Sequence, residues 1–371
     1  MRPDGVPHSI LGLALACLPL GAVATAVAQE RAPQTVDPSL AVYASARDSV
    51  RLPDGRTIHM VCMGQGSPTV ILTPGSSGWS ENWHGVQPAV AAKTRVCAWD
   101  RAGQGLSTGV PQMQAVDQAT TDLQAALKAG RIAWPYVVVG VSMGGLDSLL
   151  LADREPSKVA GMVLVDPSFP DQSRRLKRAA PDVMAWGDTH PPPFIAGLIK
   201  CIAALRTGTL RPGGPDPDGC LRQPFAPSYP PQLRAALEKA RAEATPEATA
   251  SAIEGMHSEP SATIAINPGR NYGAMPLIVL SAGINDGGGD LPPDLKAKVP
   301  LVAAEWRRAN EELATLSTRG VWRLVPDSAH DIPGTKPQVV IDAINEVVDQ
   351  VRAAGSAKVR SKSAQRTGPG A

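Results

Sequence analysis

Gly140-Val141-Ser142-Met143-Gly144 places a serine between two glycines, at the end of the apolar run Val137 to Val139 and just before a helix-compatible stretch, Leu146 to Leu151. That order suits an exposed nucleophile. A turn from strand into helix tight enough to project the serine leaves no room for side chains beside it, which accounts for Gly140 and Gly144. The helix N-terminus behind the turn favours negative charge developing there. Ser142 is therefore read as a nucleophile, and the chain must supply elements that hold it and partners that activate it.

The elements can be taken in order. Asp48 to Leu52 and Arg56 to Met63 alternate in polarity across Pro53-Asp54-Gly55, the pattern of an opening hairpin. Pro68 to Thr73 reads as a strand running into Pro74-Gly75-Ser76-Ser77-Gly78, and Glu81 to Lys93 as a helix. Arg95 to Trp99 is a further strand, followed by the loop Asp100 to Ser107 and a helix over Asp117 to Gly130. After the serine, Val159 to Val165 is a buried strand closing at Asp166-Pro167. Alternating strands and helices predict an α/β fold with a mostly parallel, eight-stranded sheet and helices on both faces.

The alternation lapses between residues 168 and 274, which hold Pro191-Pro192-Pro193, Pro212-Gly213-Gly214-Pro215 and one clear helical stretch, Gln232 to Ala244. A segment that long and irregular is read as an inserted, mainly helical cap between two parts of the core, 29–167 and 275–353. The rhythm resumes with Pro276 to Ala282 (strand), Val302 to Ser317 (helix), Val321 to Val325 (strand) and Gln338 to Ala353 (helix). Residues 354–371 read as a disordered basic tail.

Residues 1–28 read as a signal peptide: Arg2 precedes an apolar stretch from Ile10 to Val27, and Ala26-Val27-Ala28 offers a small-x-small cleavage pattern. A retained anchor is the competing reading, but Pro19 and two glycines interrupt the run, which is short for a span. Cys17 after Leu15-Ala16 raises lipidation, against which Ala14 is a poor upstream residue. Export to the periplasm or medium permits disulfides, and removing Cys17 leaves an even set, which we pair as Cys62–Cys97 and Cys201–Cys220. The net charge of +2 owes much to Lys358, Arg360, Lys362 and Arg366 in the tail, so the body is mildly acidic and nucleic-acid binding has no support.

With elbow, alternation and insertion in place, residues 48–353 resemble an α/β-hydrolase with a cap, of an exported bacterial type. Cys62-x-Gly-x-Gly-Ser-Pro-Thr-Val running into Pro74-Gly75, and Arg95-Val96-Cys97-Ala98-Trp99-Asp100-Arg101-Ala102-Gly103, agree with that resemblance. Asp100-Arg101 is then expected to shape the floor near the site in a structural role. The fold's chain order is serine, acid, histidine, which excludes His59 and His84 and leaves His190 and His257 in the cap, and His330. Ser328-Ala329-His330-Asp331-Ile332, between the last strand and last helix, is where the family's histidine belongs, so His330 is the expected base.

Two placements of the acid stay open. Asp286 follows the penultimate strand in Gly283-Ile284-Asn285-Asp286, with Asp290 a looser option, but its glycine-rich loop would hold a carboxylate poorly. Asp166, after the strand that follows the elbow helix, is used by other members of the fold. The oxyanion hole is expected from the amide of Met143 and that of Ser76, with Ser77 as runner-up.

The resemblance implies a serine hydrolase that cleaves an ester or related acyl bond of a small-molecule substrate through an acyl-enzyme. A serine in the elbow argues against epoxide hydrolases and haloalkane dehalogenases, which need a carboxylate there. No metal, organic cofactor or, after cleavage of the leader, membrane association is implied. The same residues would serve a perhydrolase, thioesterase, lactonase or amidase, and a non-catalytic binding protein on this scaffold is the alternative from another class. Trp186, Phe194, Ile195, Leu198 and Ile199 are candidates either for an acyl pocket or for the cap's own core.

Overall fold

A computed structural model of the chain describes residues 35–76, 78–112, 114–190, 193–211, 214–216, 219–220, 226–257, 267–284 and 291–366. Residues 1–28, read above as a signal peptide, thus lie outside the described residues, as do Ser77, Asp286 and Asp290.

The strands are β1 (Val50–Arg51), β2 (Thr57–Ile58), β3 (Met60–Met63), β4 (Thr69–Thr73), β5 (Val96–Trp99), β6 (Tyr136–Val141), β7 (Val159–Val165), β8 (Leu277–Ala282) and β9 (Gly320–Val325). The helices packed on them are α1 (Gln87–Ala91), α2 (Val116–Ala129) and α3 (Met143–Arg154). Between β7 and β8 come α4 (Gln172–Ala179), α5 (Pro181–Thr189), α6 (Pro193–Arg206), α7 (Pro231–Glu243) and α8 (Pro246–His257). The chain ends with α9 (Pro293–Lys296), α10 (Val299–Ala314), α11 (Ile332–Thr335) and α12 (Pro337–Arg366).

The main sheet has seven strands in the order β3-β5-β4-β6-β7-β8-β9, parallel except for β3 against β5. Eight strands in one sheet were expected. The difference lies at His59, whose ring meets the Tyr43 carbonyl and the Ser49 hydroxyl, and whose amide donates to Ser107 Oγ at 2.8 Å. This interruption detaches the β1–β2 hairpin as a separate two-stranded ribbon and lets the chain restart as β3.

The elbow strand β6 sits in the middle of the sheet, and its Val137-Val138-Val139 run is buried on both faces, the environment that an unbroken β-branched strand suits. Successive residues serve opposite layers. Val138 joins the layer formed with α2, α3 and α10, while Val137 and Val139 join the layer formed with α1 and α12. Neither layer leaves the centre of the sheet free to move, which gives the elbow a rigid base.

The segment between β7 and β8 holds five helices among its described residues, where the sequence made one plain. They rest on different supports. Arg175 of α4 donates to Glu305 at 2.6 Å and Glu312 at 2.7 Å on α10, and Lys298 pairs with Asp182 of α5. Helices α6 and α8 close a small core of Leu205, Leu210, Ala250 and Ile253, beside the Cys201–Cys220 disulfide. Leu233 and Leu237 of α7 pack on Leu40 and Tyr43 of a 3-10 helix, Pro38–Ala44. Ile199 is 57% exposed and so does not pack in the cap's core; the side chains of Phe194, Ile195 and Leu198 lie outside the described residues.

Both expected disulfides form, and Cys62–Cys97 joins residues directly opposite in the β3–β5 pair. Helix α12 continues to Arg366, beyond the Ala353 limit that its apolar periodicity suggested. No described helix is long and apolar enough to cross a membrane.

Candidate active site

Strand β6 becomes α3 in one step, and Ser142 makes the turn with φ +54° and ψ −125°. A serine held at positive φ is strained, and the surroundings must enforce it. The Ser142 amide donates to the Val165 carbonyl at 3.1 Å, and its carbonyl accepts from Ser168 and Gly145, each at 2.9 Å. The glycines are required for the reason anticipated. A Cβ on Gly140 would lie 2.0 Å from the Gly144 carbonyl oxygen, and one on Gly144 would lie 2.5 Å from that of Thr73.

The pairing of Val141 with Val165 places Ser142 and Asp166 beside each other at the carboxyl ends of β6 and β7. The Asp166 side chain, 7% exposed, accepts at Oδ1 from the Ala282 amide at 3.1 Å. Its Oδ2 lies 2.6 Å from Nδ1 of His330. A neutral ring that donates Nδ1–H to this carboxylate presents Nε2 as its acceptor. The loop carrying His330 is tied to the end of β8, where the amides of Gly283 and Ile284 donate to the Ser328 carbonyl at 3.1 and 3.0 Å. Asp331 then caps α11 by accepting from the Gly334 amide.

Of the predicted residues, Ser142, Asp166 and His330 thus converge on the carboxyl edge of the sheet. The hydroxyl of Ser142 makes no hydrogen bond to a described residue, a common state before substrate binds. The other described histidine rings are engaged elsewhere: His59 in the hairpin junction, His84 at the Glu81 carbonyl and His190 stacked on Trp186.

Two residues of this neighbourhood carried no clear sequence signal. Asn310 on α10 donates to Ser281 Oγ at 3.1 Å and reaches Asp166 Oδ1 at 3.5 Å, while Trp322 Nε1 donates to Ser281 at 2.8 Å. Trp306 sets its ring edge-on to His330, centroids 6.0 Å apart, and edge-on to Phe169 at 5.3 Å. Only a lone amide and a tryptophan on one helix face hinted at them.

The loop after β4 passes close to the serine. A Cβ on Gly75 would lie 3.4 Å from the Ser142 Cβ and 4.0 Å from its Oγ. The amides of Ser76 and Met143 donate to no acceptor among the described residues. Met143 is the first residue of α3, where amides have no intrahelical partner. Beside this loop, Asp100 acts structurally as expected, accepting from the Ser80 and Leu106 amides at 2.7 and 2.8 Å.

Sheet order, central elbow and the helices on both faces define an α/β-hydrolase fold, and residues 68–196 match the family described as alpha/beta hydrolase fold. The chain thus has the α/β-hydrolase fold, with the family match confined to the part that carries the elbow. It is 34% identical over 105 residues, 27% of its length, to an uncharacterized protein of Schizosaccharomyces pombe, of which that match spans 20%. It is 29% identical over 170 residues to the lipase LipV of Mycobacterium tuberculosis, covering 41% of this chain and 64% of the lipase. The chain therefore spans less than two thirds of either relative. Among solved structures, a thermophilic esterase from Thermogutta terrifontis superposes with a TM-score of 0.50 at 20% identity, covering 82% of this chain and 98% of the esterase.

Proposed function

We propose that this chain is an exported serine hydrolase that cleaves an ester or related acyl bond through an acyl-enzyme on Ser142. The observation that carries the reading is the 2.6 Å contact between His330 Nδ1 and Asp166, made beside a serine in the elbow conformation. Ser142 Oγ attacks the acyl carbonyl while His330 Nε2 accepts its proton. Asp166, in preference to Asp286, holds the ring in that tautomer and stabilises the imidazolium. The negative charge that forms on the carbonyl oxygen is met by the amides of Ser76 and Met143. His330 then returns the proton to the leaving group, and water, deprotonated by the same ring, releases the acid.

The helical segment between β7 and β8 serves in this reading as the cap over the acyl site, the substrate being a small molecule. Two disulfides and the apolar stretch Ile10 to Val27 support export to the periplasm or medium. The esterase neighbour supports ester chemistry at the level of the fold, and the lipase relative supports it over its matched segment.

Labelling of the purified mature protein with a fluorophosphonate, beside Ser142→Ala and a panel of short and long acyl esters, tests the reading. Labelling and ester turnover that vanish together in Ser142→Ala are the expected result. A folded protein that neither labels nor hydrolyses any ester would transfer the fold to a binding role.

A further inference from the structure

Arg101, two residues beyond β5, is wholly buried. Its Nη1 donates to the Gly75 carbonyl at 2.7 Å, and its Nη2 donates both to the Pro74 carbonyl at 2.8 Å and to Asp147 Oδ2 at 2.5 Å. From the same loop, Gln104 Nε2 donates to the Ser76 carbonyl at 2.9 Å. Three successive carbonyls of the loop after β4 are thus turned toward one loop and held there by side chains.

The consequence for the amides is geometric. The bond between Gly75 and Ser76 is trans, since the cis bonds among the described residues are Ser67-Pro68 and Trp134-Pro135. In a trans peptide the carbonyl and amide point to opposite sides. Anchoring the Gly75 carbonyl on Arg101 therefore directs the Ser76 amide away from Arg101, and the Gly75 Cα faces Ser142.

The same guanidinium reaches the other half of the site. Asp147 belongs to α3, whose first residue, Met143, carries the second amide. Thr120 donates to the remaining Asp147 oxygen at 3.2 Å. Burial pushes the Asp147 carboxyl up, while Arg101 and Thr120 pull it back. Buried ion pairs of this kind are a weak source of stability, and apolar residues of similar volume often replace them without loss. A lysine could supply the charge but not the fork that grips two carbonyls and a carboxylate together.

We propose that Arg101 and Gln104 are positioning residues for acyl transfer: Arg101 aims the Ser76 amide through the carbonyl of the same peptide, Gln104 holds Ser76 from its other side through the Ser76 carbonyl, and the Arg101–Asp147 pair fixes the spacing from the Met143 amide. The proposal rests on the serine-hydrolase reading of Ser142. Removing these anchors loosens one donor of the oxyanion hole and leaves ground-state binding of substrate largely alone.

The test compares wild type with Gln104→Ala and Arg101→Lys. Each is titrated to completion with fluorophosphonate to count competent serines, then assayed for kcat and KM on one ester and for inhibition by n-butylboronic acid, which forms a tetrahedral adduct. The expected result is a kcat per titrated site lower by about tenfold in Gln104→Ala and about a hundredfold in Arg101→Lys, with KM within about threefold. Boronic-acid affinity should weaken in parallel. A role in folding alone would reduce the titratable fraction and leave kcat per site and boronic-acid affinity at wild-type values, and that result in Gln104→Ala overturns the proposal. Should Arg101→Lys fail to fold, Gln104→Ala decides by itself. A folded wild type that neither labels nor turns over ester overturns the Ser142 reading instead, and the positioning role with it.

Discussion

Ser142 and Asp166 leave adjacent parallel strands at the same level, because Val141 pairs with Val165 across β6 and β7. The acid therefore stands beside the nucleophile in the sheet, and His330 is drawn in through the 2.6 Å contact to Asp166 Oδ2. Replacing Asp166 by asparagine keeps the shape and removes the charge that selects the Nδ1–H tautomer. Asp166→Asn should lower kcat/KM by roughly a thousandfold or more, the scale of a lost triad acid. Asp286→Asn should change it by less than about twofold, the scale of a substitution that touches no part of the triad. Steady-state assays on a single ester separate the two, and the opposite ranking would move the acid to Asp286.

The elbow glycines make a steric prediction. Gly140→Ala would drive a methyl to 2.0 Å from the Gly144 carbonyl oxygen, an approach that only a backbone shift can relieve. The cost should be about 1–3 kcal/mol of stability, the scale of overpacking in a tight interior. Urea unfolding should show the midpoint falling with the slope unchanged. Activity should fall further than the folded fraction does, because the shift moves Ser142.

Much of this was legible in the sequence, for identifiable reasons. Tight turns and buried strands leave composition little freedom, so Gly140, Gly144 and the valine run of β6 marked the elbow directly. His330 was legible from its place between the last strand and the last helix. Asp166 and Asp286 could not be separated, because that choice depends on which loop end faces the imidazole, a property of strand register. The carbonyl grip of Arg101 was hidden for a related cause: a residue in one loop acts on the backbone of another, and backbone acceptors leave no mark on sequence. The extra helices between β7 and β8 escaped notice because prolines at 181, 193, 231 and 246 read as breaks, whereas each opens a helix at its first position.

The Cys201–Cys220 disulfide, of sequence separation 19, borders the small core of Leu205, Leu210, Ala250 and Ile253. So few apolar residues bury little area, and the cross-link contributes chiefly by limiting the unfolded chain. Closing a loop of that size is worth about 3 kcal/mol in the chain-entropy description. The double variant Cys201→Ser/Cys220→Ser should lose roughly that amount, with hydrogen exchange rising first in α6 and α8 and little change in β6. Exchange that rises equally across the main sheet would show that the segment and the core unfold together.

Glu81 gives a pH prediction with a defined sign. It lies on the 3-10 helix Ser80–Trp83, close after the loop of Ser76, and its side chain is 9% exposed. Burial raises its carboxyl above the ordinary range; Asp100 adds to the rise, while the Tyr229 hydrogen bond at 2.8 Å and His84 oppose it. The folded protein thus holds the Glu81 proton to a higher pH than the unfolded chain, whose carboxyl titrates near about 4.3. Its contribution to stability is full below that value and is lost as pH rises through the folded pKa. Glutamine carries no charge to desolvate and still offers Tyr229 an acceptor. The melting temperature of Glu81→Gln relative to wild type should therefore become more favourable between about pH 4 and about pH 7. A difference that stays flat over that range would mean that the Tyr229 and His84 contacts fully offset the burial of the Glu81 charge.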